Sequence, residues 1–358
     1  MKTTNRILTL AAGVAGGLLS QTVAAAPTLY GQLNLSVDQL DNGSDSALNI
    51  SSNSSRLGVK GDIQIGGDIA GIYQIESELR ADTAAPADNG VLASRDTFVG
   101  LQGNFGTLRI GRFDTPVKLI GRQVDLFKDQ VGDARNLTRG ANGSGTANTL
   151  ARFDERPNNS LGYTTPELAG FKGNFQYSTN VDTAATATND NDLISAAVNY
   201  AQGPLFVGLG YETIGFVSTA TPPAAGDAPS IIRLGAYYDW NAWRINALWQ
   251  KVTGTTSAND EDVYGLGASF KHQAWLFKAH TYQLNADAAN KDATLLAVGT
   301  EYTLQKGVIL YADYAAIDND PGRGLTPFRE GRSDNLTIAT ANNGDSASAF
   351  SLGAIIKF

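Results

Sequence analysis

Between residue 28 and the C-terminus, apolar and polar side chains alternate in sixteen runs, and the connections between those runs are by turns short and long. Phe171, Gly173, Phe175 and Tyr177 fall on one side of an extended backbone, with Lys172, Asn174, Gln176 and Ser178 on the other. Ile69–Arg80, Leu205–Glu212, Ala242–Gln250 and the final stretch from Phe350 to Phe358 repeat the pattern. A period of two is that of a strand whose faces meet different surroundings. The runs fall at 28–38, 53–65, 68–80, 95–103, 106–113, 159–167, 170–179, 192–202, 204–214, 230–240, 242–252, 261–271, 273–285, 292–304, 307–317 and 346–358. Short turns sit at Gly66-Gly67, Asn104-Phe105, Leu168-Ala169, Gly203, Asn241, Gln273 and Gln305-Lys306. Between them lie polar, Gly-, Asn-, Asp- and Thr-rich loops at 39–52, 81–94, 114–158, 180–191, 215–229, 253–260, 286–291 and 318–345. Segregated loop lengths are the mark of an up-and-down barrel with two unlike rims; a β-sandwich has no reason to produce them.

One face of the runs carries Leu, Val, Ile, Phe, Tyr and Trp with almost no charge; the other carries Gly, Ser, Asn and oppositely charged residues. A strand of about ten residues, tilted, spans a bilayer. Lys or Arg on a lipid face costs ~2–4 kcal/mol at mid-bilayer, so the charged face must point inward. An open sheet edge in hydrocarbon would leave unpaired backbone groups at several kcal/mol each, so the sheet must close. The expected fold is therefore all-β: a transmembrane antiparallel β-barrel of sixteen strands around a lumen too wide for side chains to fill. Aromatic residues near run ends (Tyr177, Tyr200, Tyr211, Trp240, Trp243, Trp249, Tyr302, Phe358) read as interface girdles.

Residues 1–25 read as a secretory signal peptide. Lys2 and Arg6 precede the uncharged Ile7–Leu19, and small residues follow at Val23-Ala24-Ala25-Ala26. The apolar run is too short to span a membrane as a helix, and Val23 and Ala25 suit a cut after Ala25. Residues 26–358 then form a single barrel domain. Cysteine is absent and there are two histidines. Disulfide, thiolate-zinc, iron–sulfur and cysteine-nucleophile chemistry are thereby excluded, and no cofactor is implied. With 27 basic and 35 acidic residues the net charge is −8, which argues against nucleic acid as a partner.

The longest connection, 114–158, carries Val117, Ile120, Val124, Phe127 and Val131 at roughly helical spacing. A loop of that length in a compact protein is functional or disordered. Packed inside the barrel, its apolar stripe would be covered and the lumen narrowed.

At this point the chain resembles the Gram-negative general porins. The resemblance is carried by Tyr30-Gly31-Gln32-Leu33, by Ser55-Arg56-Leu57-Gly58-Val59-Lys60-Gly61, and by Phe98-Val99-Gly100-Leu101 followed by Phe105-Gly106-Thr107-Leu108-Arg109-Ile110-Gly111-Arg112. Asn159-Ser160-Leu161-Gly162-Tyr163-Thr164-Thr165-Pro166 and the terminal Phe358 continue it, so that it spans the mature chain. It implies a water-filled channel for passive diffusion of ions and small hydrophilic solutes in the outer membrane, built as a homotrimer and inserted by the barrel-assembly machinery, which reads a terminal strand ending in Phe358. It also implies a third loop folded inward, with acidic residues facing wall arginines across the constriction. By position, Arg56 and Arg112 correspond to wall arginines, and Arg152 and Arg156 are candidates for a third. Strict alternation puts Arg112 on the parity of Leu108 and Ile110, so either Gly111 permits a bulge or Arg109 is the inward residue. Asp125, Asp129 and Asp133 are the expected acidic side. The Pro-Glu-Phe-Gly segment of enterobacterial porins is missing.

Inward parity gives nine basic residues (Arg56, Lys60, Arg80, Lys172, Arg233, Arg244, Lys271, Lys278, Lys357) and seven acidic ones (Asp62, Glu76, Glu78, Glu212, Asp239, Glu301, Asp313). That near balance predicts weak ion selectivity set by the constriction, because rim charges are screened within ~8–10 Å. Acidic outer loops could hold divalent cations bridging lipopolysaccharide. The rival readings are a substrate-specific channel and, further off, a barrel enzyme. His280 is the histidine on luminal parity, without a nucleophile motif around it, and Asp260-Glu261-Asp262 is the densest acidic cluster.

Overall fold

A computed structural model describes residues 26–83, 92–139, 153–179, 192–215, 228–254, 257–331 and 341–358. The signal-peptide segment and Arg152 lie outside the described residues. The strands are β1 (Thr28–Asp41), β2 (Ser46–Ser52), β3 (Arg56–Gly66), β4 (Ile69–Glu78), β5 (Thr97–Gly103), β6 (Gly106–Arg112), β7 (Ser160–Thr164) and β8 (Phe171–Ser178). They continue as β9 (Leu193–Gln202), β10 (Leu205–Ile214), β11 (Ser230–Trp240), β12 (Trp243–Thr253), β13 (Glu261–His272), β14 (Trp275–Ala286), β15 (Ala293–Gln305), β16 (Val308–Asn319) and β17 (Ala347–Lys357). Each pairs antiparallel with its sequence neighbour, and β17 returns to β1 over the register Gln32↔Lys357 to Asp41↔Ser348. The sheet is a closed barrel, as the lipid argument requires.

Segments β2 and β3 are two halves of one strand, which makes sixteen in all. Both pair with β1, at Leu35↔Ser52 and Gln32↔Arg56. Asn53, Ser54 and Ser55 therefore oppose only Leu33 and Asn34. The surplus residue forms a bulge, with Ser54 at φ 51° and the Asn53 N–H bonded to the Asn34 carbonyl.

The first outer connection is a correction. The expected loop 39–52 is mostly strand, and the turn is only residues 42–45, tied by the Asn42 side-chain oxygen accepting the N–H groups of Ser44 and Asp45. Leu48 and Ile50 face outward there, but two apolar positions were too few to show as a run.

The outer face is apolar and exposed: Val99, Ile110, Leu209, Ile245, Leu266 and Leu352 are each more than half exposed. In water such a belt would drive association; in a bilayer it is the contact surface. At the seam, the N–H of Gly31 donates to the Phe358 carbonyl and the Phe358 N–H to the Gly31 carbonyl, and a side chain at Gly31 would collide with the Phe358 ring.

The lumen is not wet throughout. Inward residues Leu248, Val263, Tyr282, Leu284, Leu295, Ala297, Ala315 and Ile317 form a buried cluster with Phe127, Val131, Ala134 and Leu137 of the third loop. That part of the inner wall is apolar because a loop is packed on it.

Candidate pore constriction

The third loop, residues 113–159, starts with helix α1 (Pro116–Val124). Thr115 caps it by accepting the Lys118 N–H, and Pro116 occupies the first turn, where its missing donor costs nothing. Val117, Ile120 and Val124 are buried against the wall. The wall is recessed there: side chains at Gly208, Gly210 and Gly235 would run into Ile120 and, at Gly210, Val117 at 2.8–2.9 Å, with Val124 at 3.3 Å from Gly235. Glycines on three inward positions thus make the bed for the helix. A second short helix, α2 (Arg135–Thr138), follows.

One buried cation holds the loop's ends together. The Arg233 guanidinium, on β11 and 0% exposed, pairs with Asp154 on the returning limb and donates to the carbonyls of Val117 and Thr138 and to the Gln250 side chain. Sequence parity placed Arg233 in the lumen; the structure places it beneath the loop, with no lumen surface.

The other face of α1 carries Lys118 and Arg122, one turn apart. They border a polar cavity of ≈ 320 Å³ between the loop and the wall of β3–β6. Among the described residues lining it, eight are basic (Arg95, Arg112, Lys118, Arg122, Arg135, Arg139, Arg156, Arg329) and six acidic (Glu78, Asp114, Asp129, Asp154, Glu155, Glu330).

Asp129 reaches this cavity, but as the centre of an arginine cluster. Arg122 grips it with two hydrogen bonds of 2.9 and 2.7 Å, Arg135 approaches at 3.4 Å, and Arg56 from the wall lies 3.8 Å away. Burial pushes the Asp129 carboxyl up, but these guanidiniums outweigh it and hold the group well below the usual carboxylate range. Asp133 is fully buried, paired with Arg135 at 2.7 Å and accepting the backbone N–H of Asp129. Asp125 is turned to the wall. It accepts the N–H groups of Phe127 and Ala134 and lies 3.7 Å from the Nδ1 atom of His280. Burial, with Asp133 nearby, pushes it up to about 7. Asp125 and Asp133 therefore brace the loop from within, and the described loop residues that line the cavity are five basic (Lys118, Arg122, Arg135, Arg139, Arg156) and four acidic (Asp114, Asp129, Asp154, Glu155).

On the wall, Arg56 contacts Asp129, lies 4.0 Å from Glu76 and donates to Gln32. Arg112 does turn inward. Gly111 sits at φ 152°, where a side chain would strike the Thr97 carbonyl at 2.3 Å, and Arg112 then donates to the Ser94 carbonyl and to Asn158. Arg109 is inward as well, but it lies over the rings of Phe98 and Phe113, away from this cavity. Arg156 pairs with Asp96 and with Asp114, at 2.7 Å for the latter. Burial raises the Asp114 carboxyl, yet Lys118 at 2.8 Å and Arg156 together hold it well below its ordinary value. The Lys118 ammonium is lowered by burial to about 8. His280 is buried under the loop, its Nε2 atom 2.9 Å from the Gly132 carbonyl.

Sequence reasoning missed Arg95, Lys118, Arg122, Arg135 and Arg139. For Lys118 and Arg122 a signal existed: they occupy the face of the helix opposite the apolar stripe.

A family model described as Gram-negative porin matches residues 8–322. The chain belongs to the Gram-negative porin family. Among relatives, it is 29% identical over 274 residues to outer membrane porin protein 32 of Delftia acidovorans, covering 74% of each chain. It is 24% identical over 337 residues to the major outer membrane protein P.IB of Neisseria gonorrhoeae, covering 81% of this chain and 89% of that one. In fold it is similar to an anion-selective porin from Comamonas acidovorans, with a TM-score of 0.76, 24% identity, and coverage of 93% of this chain and 99% of that chain. This porin is an outer-membrane barrel that forms a water-filled channel for passive diffusion of small hydrophilic solutes and ions.

Proposed function

We propose that this porin prefers anions, weakly, and that the third loop and the wall arginines set the preference. The observation that carries this reading is the basic surplus around the constriction, eight groups against six, in a chain whose net charge is −8. Two surplus positive charges about 8 Å from a permeating ion, in water and screened at physiological salt, are worth about 0.4 kcal/mol for an anion and as much against a cation, which is about a fourfold preference. Arg95 and Arg112 are its basic groups on the wall side, with Arg56 behind them against Asp129 and Arg156 where the loop returns to the wall; Asp114, Asp129, Asp154 and Glu155 are the acidic groups the loop presents. Its sign is that of the anion-selective porin to which the fold is similar. Reversal potential in a KCl gradient across a planar bilayer tests it: an anion-to-cation ratio of about four is expected, and a cation preference sinks it.

The same reading includes a homotrimer with one pore per subunit, consistent with closed three-fold symmetry and with the trimer form among similar solved barrels. It also includes removal of residues 1–25 on export, assembly through the terminal Phe358, and a channel rather than an enzyme.

A further inference from the structure

The third loop is not alone in the lumen. From Asn319 at the end of β16, residues 320–331 of the eighth outer loop turn inward, and Arg323–Phe328 are buried. Leu325 and Phe328 join the same apolar cluster as Val131 and Leu137 of the third loop. Polar contacts fix the alignment. The Gly132 N–H donates to the Pro327 carbonyl at 2.6 Å, and the Asn136 side-chain oxygen accepts the backbone N–H groups of Arg329 and Glu330 at 3.1 and 3.0 Å. The Ser54 hydroxyl, on the strand-two bulge, donates to the Gly331 carbonyl at 3.0 Å, and Arg323 anchors the near end on Glu261 at 2.6 Å. This is a strap that crosses the middle of the third loop, at residues 131–139, and brings Arg329 and Glu330 to the cavity rim. Glu330 pairs there with Arg139, which Glu155 also holds.

We propose that the eighth loop is the second jaw of the constriction and that Glu330 is a specificity-determining residue, because its carboxylate offsets Arg139 at the rim. The proposal rests on the anion-preferring reading above. It makes pore size and ion preference properties of two loops held in register rather than of one.

The test is the reversal potential of Glu330→Gln beside Arg122→Gln, each as assembled trimers. Removing one rim carboxylate should raise the anion-to-cation ratio about twofold, whereas removing Arg122 should lower it by a similar factor. A ratio unmoved by Glu330→Gln but lowered by Arg122→Gln overturns the second jaw and leaves the third-loop reading intact. A ratio unmoved by either overturns both. Should Glu330→Gln fail to assemble, the pair Asn136→Cys with Arg329→Cys decides the matter in a chain without native cysteine. A disulfide formed in folded, conducting trimers supports the proposal, and its absence under oxidant overturns it.

Discussion

Replacing Arg233 by Met should unseat the third loop without opening the barrel. The guanidinium is 0% exposed and bonds three separate parts of the loop: Val117, Thr138 and Asp154. Removing it leaves the Asp154 carboxylate buried without that partner, and breaking one side of such a pair costs ~3–5 kcal/mol. At about 1.4 kcal/mol per decade this raises the population of unseated loop by a factor of roughly 10² to 4 × 10³. The barrel ladders do not pass through Arg233's side chain, so the cost falls on the loop. Two readouts follow. Limited tryptic digestion of folded trimers should cut within 113–159, where Lys118, Arg122, Lys128, Arg135 and Arg139 offer sites, and single-channel records should show added flicker. In the double variant with Asp154→Asn the orphan charge is gone, so most of both effects should disappear. An Arg233→Met channel that is as quiet and as protease-resistant as the parent refutes the clamp.

Two further outcomes are expected. Lys118, lowered to about 8 by burial, is cationic below that pH and neutral above it; raising the pH from 7 to 9 should therefore remove one surplus charge and reduce the anion preference about twofold, and Lys118→Gln should abolish that dependence in the same reversal-potential titration. Gly235→Leu places a side chain where the Ile120 methyl already sits at 2.8 Å; it should lift α1 from its bed and lower single-channel conductance or raise its noise, while heat-resistant trimers persist on gels.

The barrel was legible because two constraints act on every strand at once. Lipid outside demands apolar residues at alternate positions, as at Leu205, Val207, Leu209 and Tyr211, and each chain reversal must lie in water on one rim or the other. Interior details were not legible, since inner positions answer to whatever packs on them. Leu248, Leu284 and Ile317 look like lapses in a polar face until the third loop covers them. Gly208, Gly210 and Gly235 look like ordinary small lumen residues until Ile120 rests against them. Charge sign was visible and role was not: Asp125, Asp129 and Asp133 share a spacing of four, yet backbone turns after α1 send Asp125 and Asp133 into the loop's interior and only Asp129 to the cavity. Arg112 was ambiguous for a definable reason, since a glycine at φ 152° reverses a parity that no side-chain pattern records. The inward course of the eighth loop had no sequence signal beyond Leu325 and Phe328 in a polar stretch.

The charge carried by the third loop decides the sign of the ion preference. The most direct measurement is the reversal potential of the Lys118→Gln/Arg122→Gln double variant against the parent channel, at pH 7 in the same salt gradient. Loss of two cations should bring the anion-to-cation ratio from about four to about one, with the conductance of an open trimer retained. A parent ratio already at unity or below, or a variant ratio indistinguishable from the parent's, contradicts it.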